Sequence, residues 1–176
     1  MEKELRQRAM SILERFEIIT SSPSQTKDLG ERLSLLLTKG DIVSLIGELG
    51  SGKTTFIQGI AKGLSIKEPV NSPSFSLLNI YKGTIPLYHF DLYRIAENED
   101  IGFDDFLFSN GISVIEWGEK ASNFLPFQYL KISISHIVEE QKSRRAEERK
   151  KDTNKRRILF LPKGKHFIEL VKNIRG

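Results

Sequence analysis

Gly47-Glu48-Leu49-Gly50-Ser51-Gly52-Lys53-Thr54 fits the pattern G-x-x-x-x-G-K-[ST], and it stands between an apolar run, Ile42 to Ile46, and a helix-like run, Thr55 to Gly63. A strand that feeds a glycine-rich loop opening a helix is the context of a phosphate-binding P-loop. The backbone of such a loop curls so closely around an anion that side chains would block it. Gly47, Gly50 and Gly52 therefore take the tight positions, and the intervening N–H groups turn inward. The following helix adds the positive end of its dipole. Lys53 reaches the β- and γ-phosphates as a point charge, and the Thr54 hydroxyl is placed to ligate the Mg²⁺ that bridges them. Both flanks agree: Ile42, Val43, Leu45 and Ile46 read as a buried strand, and Phe56, Ile57, Ile60 and Leu64 as the apolar face of an amphipathic helix.

Upstream, Phe16 to Thr20 reads as a short strand, and Ser21-Ser22-Pro23-Ser24 supplies a hydroxyl cap for a helix carrying Leu29, Leu33 and Leu36. Residues 1–16 space Leu5, Ala9, Ile12, Leu13 and Phe16 at helical intervals, which predicts an N-terminal helical extension. Downstream, Phe75 to Tyr81 and Pro86 to Asp91 read as an antiparallel hairpin turning at Lys82-Gly83-Thr84. A hairpin at this point leaves little room for the acceptor-binding helices of a small P-loop kinase. Glu99 to Phe108 reads as a short helix closed by Asn110-Gly111, Ile112 to Trp117 as a buried strand, and Leu130 to Ile137 as a strand with one wetter face. After a charged stretch come the strand Ile158 to Leu161 and a last helix from His166 to Ile174.

A chain of 176 residues suits one core, so residues 17–176 read as a single α/β domain. It has no cysteine, which excludes disulfides, Fe–S clusters and thiolate zinc sites and suits a reducing cytosol. Met1-Glu2-Lys3-Glu4-Leu5-Arg6 is charged where a signal peptide needs an apolar block, and no apolar run approaches ~18 residues; the expectation is a cytoplasmic protein without a membrane segment. The net charge of +4 is local. Of 27 Lys/Arg and 23 Asp/Glu, nine and five lie between Glu139 and Arg157, leaving 18 of each sign elsewhere. That stretch, 139–157, reads as a solvated, mobile loop, with an electrostatic contact to tRNA or an acidic partner as its sharper alternative.

Hydrolysis needs an acid to hold Mg²⁺ and a group to orient water. Two carboxylates end apolar strands: Asp91, in His89-Phe90-Asp91-Leu92-Tyr93-Arg94, and Glu116, in Ile115-Glu116-Trp117. Parallel sheets present ligands at the carboxyl ends of their strands, so Glu116 falls beside the P-loop if its strand runs parallel to Ile42 to Ile46. Either acid can be the metal partner, with the other polarising water or supporting the ligands from behind. His89, His136 and His166 have no metal-ligand spacing and read as ordinary polar or packing residues. Arg94 reads as the partner of a nearby acid, with a phosphate-directed finger in cis as the alternative.

The P-loop, the segment Ser72-Pro73-Ser74-Phe75-Ser76-Leu77, the block His89-Phe90-Asp91-Leu92-Tyr93-Arg94 and the pair Glu116-Trp117 occur in that order. Together they resemble the bacterial TsaE (YjeE) family, over roughly residues 17 to 135. The resemblance implies an α/β P-loop fold around a mixed parallel and antiparallel sheet, weak ATPase activity with ATP and Mg²⁺ as cofactors, and association with TsaB and TsaD subunits. Those subunits carry out the threonylcarbamoyl modification of a tRNA adenosine beside the anticodon, and the resemblance leaves contact of this chain with tRNA open, either indirect through the subunits or direct. Carried across by motif, the nucleotide site is Glu48, Leu49, Gly50, Ser51, Gly52, Lys53, Thr54 and Thr55. The acidic pair is Asp91 and Glu116, with Thr54 beside them at the metal, and Trp117 lies near the nucleotide. Ser74 stands where the family commonly has Thr, which keeps a hydroxyl for a γ-phosphate-sensing switch. Two other function classes fit a P-loop domain of this size: a small-molecule or nucleotide kinase, and a nucleotide-gated binding module without turnover.

Overall fold

The computed structural model describes residues 15–107, 109–137 and 154–175. Its elements in chain order are β1 (Phe16–Thr20), α1 (Pro23–Ser34), β2 (Ile42–Ile46), α2 (Lys53–Gly63), β3 (Leu78–Tyr81), β4 (Leu87–Asp91), α3 (Asp104–Leu107), β5 (Ile112–Glu116), a 3₁₀ turn (Gly118–Ala121), β6 (Tyr129–His136), β7 (Arg156–Lys163) and α4 (Lys165–Arg175). The strands form one seven-stranded sheet in the order β1-β7-β6-β2-β5-β4-β3. The four inner strands β6, β2, β5 and β4 are mutually parallel, and antiparallel β3 on one side and β7-β1 on the other complete a mixed α/β sheet.

Alternation along the strands sorts side chains into two apolar clusters on opposite faces. Val43 and Leu45 of β2, Val114 of β5 and Ile132 of β6 pack with Leu33, Phe56, Ile60, Phe167 and Leu170 of the long helices, all 4% exposed or less. Ile42 and Ile115, their neighbours in sequence, join Phe90, Phe103, Leu107 and Ala121 on the other face. Both faces of β2 and β5 are thus covered, as continuous apolar runs in parallel strands require.

Helices α1 and α2 touch through glycines. A Cβ at Gly59 would lie 2.0 Å from the Lys27 carbonyl oxygen, and one at Gly30 would lie 2.2 Å from that of Phe56. Gly59→Ala should therefore lower the urea midpoint, costing about 1–3 kcal/mol by overpacking even though alanine is favoured over glycine inside a helix by about 1 kcal/mol.

Most element readings hold within a residue or two, including the Ser22 cap, whose hydroxyl accepts the Gln25 N–H at 3.2 Å. Three differ. The first hairpin strand begins at Leu78, not Phe75, because Ser76 and Leu77 donate their N–H groups to the Pro73 carbonyl in a turn and Leu77 has φ 65°. The helix expected over Glu99 to Phe108 is a single turn, since Gly102 at φ 77° breaks the backbone just before it; Phe108 lies outside the described residues. The end of the charged stretch is strand: Arg156 and Arg157 belong to β7 and pair across to Thr20 and Ile19. Residues 1–14 of the expected helical extension, and 138–153 of the expected loop, lie outside the described residues.

Candidate functional site

The P-loop joins β2 to α2 at the carboxyl end of the parallel strands. Gly47 (φ 149°) runs so close to β6 that a Cβ would meet the Ile134 carbonyl oxygen at 2.2 Å. Gly52 caps α2 in the left-handed region at φ 108°, which a side chain would strain. The tip residues Glu48, Leu49 and Gly50 are exposed, Ser51 is buried, and Thr54 and Thr55 are half-buried in the first turn of α2. The Ser51 hydroxyl is buried with no hydrogen-bond partner among the described residues, while the Ser51 N–H donates to Glu48.

Lys53 is 4% exposed and curls back over its own loop, donating Nζ–H to the carbonyls of Gly47 at 2.8 Å and Glu48 at 3.0 Å. Its ammonium lies 4.1 Å from the centroid of the Trp117 ring. Burial lowers its pKa below the usual lysine value, against the charges of Glu116, Glu119 and Asp91, which raise it. Trp117 itself takes the left-handed backbone at φ 58°, a strained conformation for a bulky residue, and its ring leans on Tyr93 at 5.2 Å between centroids.

The parallel pairing expected to bring Glu116 beside the P-loop is present, and β4 also runs parallel to β5. Glu116 is in register with Leu45 of β2, and Asp91 of β4 is in register with Glu116, so both acids end adjacent strands at one level. Their surroundings differ. Glu116, 3% exposed, accepts the Thr54 hydroxyl on Oε1 at 2.8 Å. Asp91, 2% exposed, accepts the Ser74 hydroxyl on Oδ2 at 2.7 Å together with that of Ser72, and the Tyr93 N–H on Oδ1 at 2.9 Å. Glu116 thus belongs to the P-loop, and Asp91 to the Ser72-Pro73-Ser74 segment.

Burial pushes the Asp91 carboxyl upward, but the two serine hydroxyls and the Tyr93 N–H together hold it below the usual carboxylate range. A depressed folded pKa contributes stability that is complete above the unfolded value, near pH ~4, and is lost as pH falls through the folded value. The stability advantage of the native chain over Asp91→Asn should therefore be constant from pH ~7 to ~5 and shrink below pH ~4, read from urea midpoints across that range.

Three contacts here are not those read from the sequence. His89, read as an ordinary polar or packing residue, is the polar kind and specifically placed: its imidazole is fully buried, with Nε2 3.0 Å from Oε1 of Glu116. The alternation of β4 was the signal available, because it sets His89 and Asp91 on one face. Arg94 makes no ion pair among the described residues; its guanidinium stacks 4.4 Å from the ring centroid of Phe75, which is 88% exposed. Arg156 donates Nε–H to the Ser51 carbonyl at 2.7 Å, so β7 braces the P-loop; nothing in a charged run marks one arginine for that contact.

The model of the family described as "Threonylcarbamoyl adenosine biosynthesis protein TsaE" matches residues 20–146. The tRNA threonylcarbamoyladenosine biosynthesis protein TsaE of Bacillus subtilis is 38% identical over 125 residues, covering 70% of this chain and 79% of that protein. Its namesake from Treponema pallidum is 41% identical over 124 residues, covering 69% and 92%. The crystal structure of Bacillus subtilis YdiB superposes with a TM-score of 0.75 at 28% identity, covering 92% of this chain and 94% of that one.

Proposed function

Because the chain belongs to the TsaE family of threonylcarbamoyl adenosine biosynthesis proteins, we propose that it serves tRNA threonylcarbamoyladenosine biosynthesis as a slow, Mg²⁺-dependent ATPase. The observation that carries this reading is the convergence of Lys53, Thr54 and Glu116 at one end of the parallel strands.

The residues fit a nucleotide with its metal. The loop from Glu48 to Lys53 offers backbone N–H groups and an unpartnered buried hydroxyl at Ser51, and Lys53 is a partly desolvated cation at the same place. Thr54 donates its proton to Glu116, which leaves its oxygen lone pairs for a cation. Oxygen ligands, one carboxylate and substrate phosphates are the set that Mg²⁺ accepts. Bound Mg²⁺ would neutralise the β- and γ-phosphates and favour attack by water.

In this assignment Thr54 and Glu116 hold the metal. Lys53 meets the phosphate charge, and Trp117 lies over the lysine at the mouth of the site. Asp91 anchors Ser72 and Ser74 next to it, so hydroxyls close to the nucleotide are tied to a segment that ends in exposed Phe75. Water adds to the terminal phosphorus as the bond to the bridging oxygen breaks, giving ADP and phosphate. Loss of the terminal phosphate would free the Ser72 to Ser76 segment and change the face it presents. The exposed side chains of Phe75, Leu49 and Tyr93 are the surface we assign to TsaB- and TsaD-like subunits, with tRNA reached through them. Among the described residues no helix is long and apolar enough to cross a membrane, and we assign the activity to the cytoplasm.

The test is ATP hydrolysis by the purified chain, alone and with the cognate TsaB and TsaD proteins, with Lys53→Ala as the blank. Turnover stimulated by the partners and lost in the variant supports the reading. ATP-dependent partner binding without stimulated turnover would favour a gated binding module, and phosphate transfer to a hydroxyl acceptor would favour a kinase.

A further inference from the structure

A fully buried histidine is costly unless its polar atoms are used, and His89 uses one of them. Nε2 lies 3.0 Å from Oε1 of Glu116, while Nδ1 has no partner among the described residues. A carboxylate only accepts hydrogen bonds, so the proton between them sits on Nε2. Nδ1 is then a bare lone pair, which costs less to bury than an unpaired N–H. The Tyr81 ring lies 6.5 Å from the imidazole between centroids, and its hydroxyl is engaged with Asn71 and Asn79.

The contact is diagonal in the sheet. His89 pairs in register with Val114, and Glu116 lies one same-face position further along β5. Thr54 donates to the same Oε1 from the P-loop side at 2.8 Å. Two donors on one oxygen fix the rotation of the carboxylate, and no hydrogen bond among the described residues reaches Oε2.

We propose that His89 is a positioning residue for a divalent cation. Its Nε2–H pins Oε1 of Glu116 so that Oε2 and the lone pairs of Thr54 remain available to the metal. This rests on the Mg²⁺-nucleotide reading above and adds to it the residue that orients the metal ligand from behind. His89 touches neither phosphate nor metal in this scheme, so its effect passes entirely through Glu116.

The discriminating pair of substitutions is His89→Gln and His89→Asn. Both place a buried amide in the imidazole's space. The glutamine nitrogen reaches the position of Nε2, and the asparagine nitrogen stops near Nδ1. Nucleotide binding is followed by Trp117 fluorescence with a non-hydrolysable ATP analogue, once in EDTA and once as a Mg²⁺ titration. His89→Asn should raise the Mg²⁺ concentration for half-saturation by about 10- to 100-fold with unchanged affinity in EDTA, whereas His89→Gln should stay within about threefold of the native chain.

Equal Mg²⁺ dependence in the two variants, or an equal loss of affinity in EDTA, would overturn the proposal, the latter by showing a general effect on the site. Long-range ¹H–¹⁵N spectra of the metal-free native chain give an independent reading: the proton on Nε2 is expected, and the Nδ1–H tautomer would overturn it. A native chain that binds the analogue equally with and without Mg²⁺ would overturn the metal reading and this inference together. Native Mg²⁺ dependence with indifferent variants would overturn His89 alone.

Discussion

Lys53→Ala is expected to weaken ATP binding by about 30- to 1,000-fold, with the protein still folded. Lys53 is the cation of the loop, and its water has already been stripped away by burial over Trp117 and between two backbone carbonyls. A charge held in that setting meets phosphate with little further desolvation, and deleting such a charge-assisted contact costs about 2–4 kcal/mol. The alanine variant also frees the carbonyls of half-buried Gly47 and exposed Glu48, a change confined to the loop. Isothermal titration with ATP and Mg²⁺, paired with a thermal melt, separates the two effects.

Glu116→Gln should leave nucleotide binding nearly intact and act mainly on turnover. The carboxamide keeps an oxygen that can accept from Thr54 and His89, so the local geometry persists. It removes the negative charge that a divalent cation requires from the protein. Nucleotide affinity in EDTA should stay within a few-fold of the native chain, while Mg²⁺-dependent hydrolysis falls about 100-fold or more. Asp91→Asn should act differently, because that carboxylate spends its oxygens on Ser72, Ser74 and the Tyr93 N–H. Single-turnover hydrolysis of both variants at saturating Mg²⁺ tells the two acids apart.

The centre of the fold was legible because the P-loop couples local conformation to long-range order. Glycines at Gly47 and Gly52, a β-branched strand before them and an amphipathic helix after them permit one arrangement, and parallel pairing of β2 with β5 then carries Glu116 to the loop. What stayed illegible depended on contacts between distant residues. Phe75 and Leu77 carry strand-like side chains, yet the Asp91 carboxylate captures the serine hydroxyls just before them and the chain turns instead. The division of labour between the two acids could not be read either, since both end apolar strands and only their partners differ. Arg156 stands in a run of charges, and its role came from β7 pairing beside β6, a register that the sequence of the run does not specify.

The most direct measurement is an equilibrium titration of Trp117 fluorescence with ATP, with and without Mg²⁺, on the native chain and on Lys53→Ala. Trp117 is the chain's one tryptophan, and its ring lies against the Lys53 ammonium, so the signal comes from the site itself. The expected result is a saturable change that tightens with Mg²⁺ and disappears in Lys53→Ala. A fluorescence response that is the same in the variant, or native protein that shows no saturable binding of ATP by this or by calorimetry, would contradict nucleotide binding at this P-loop.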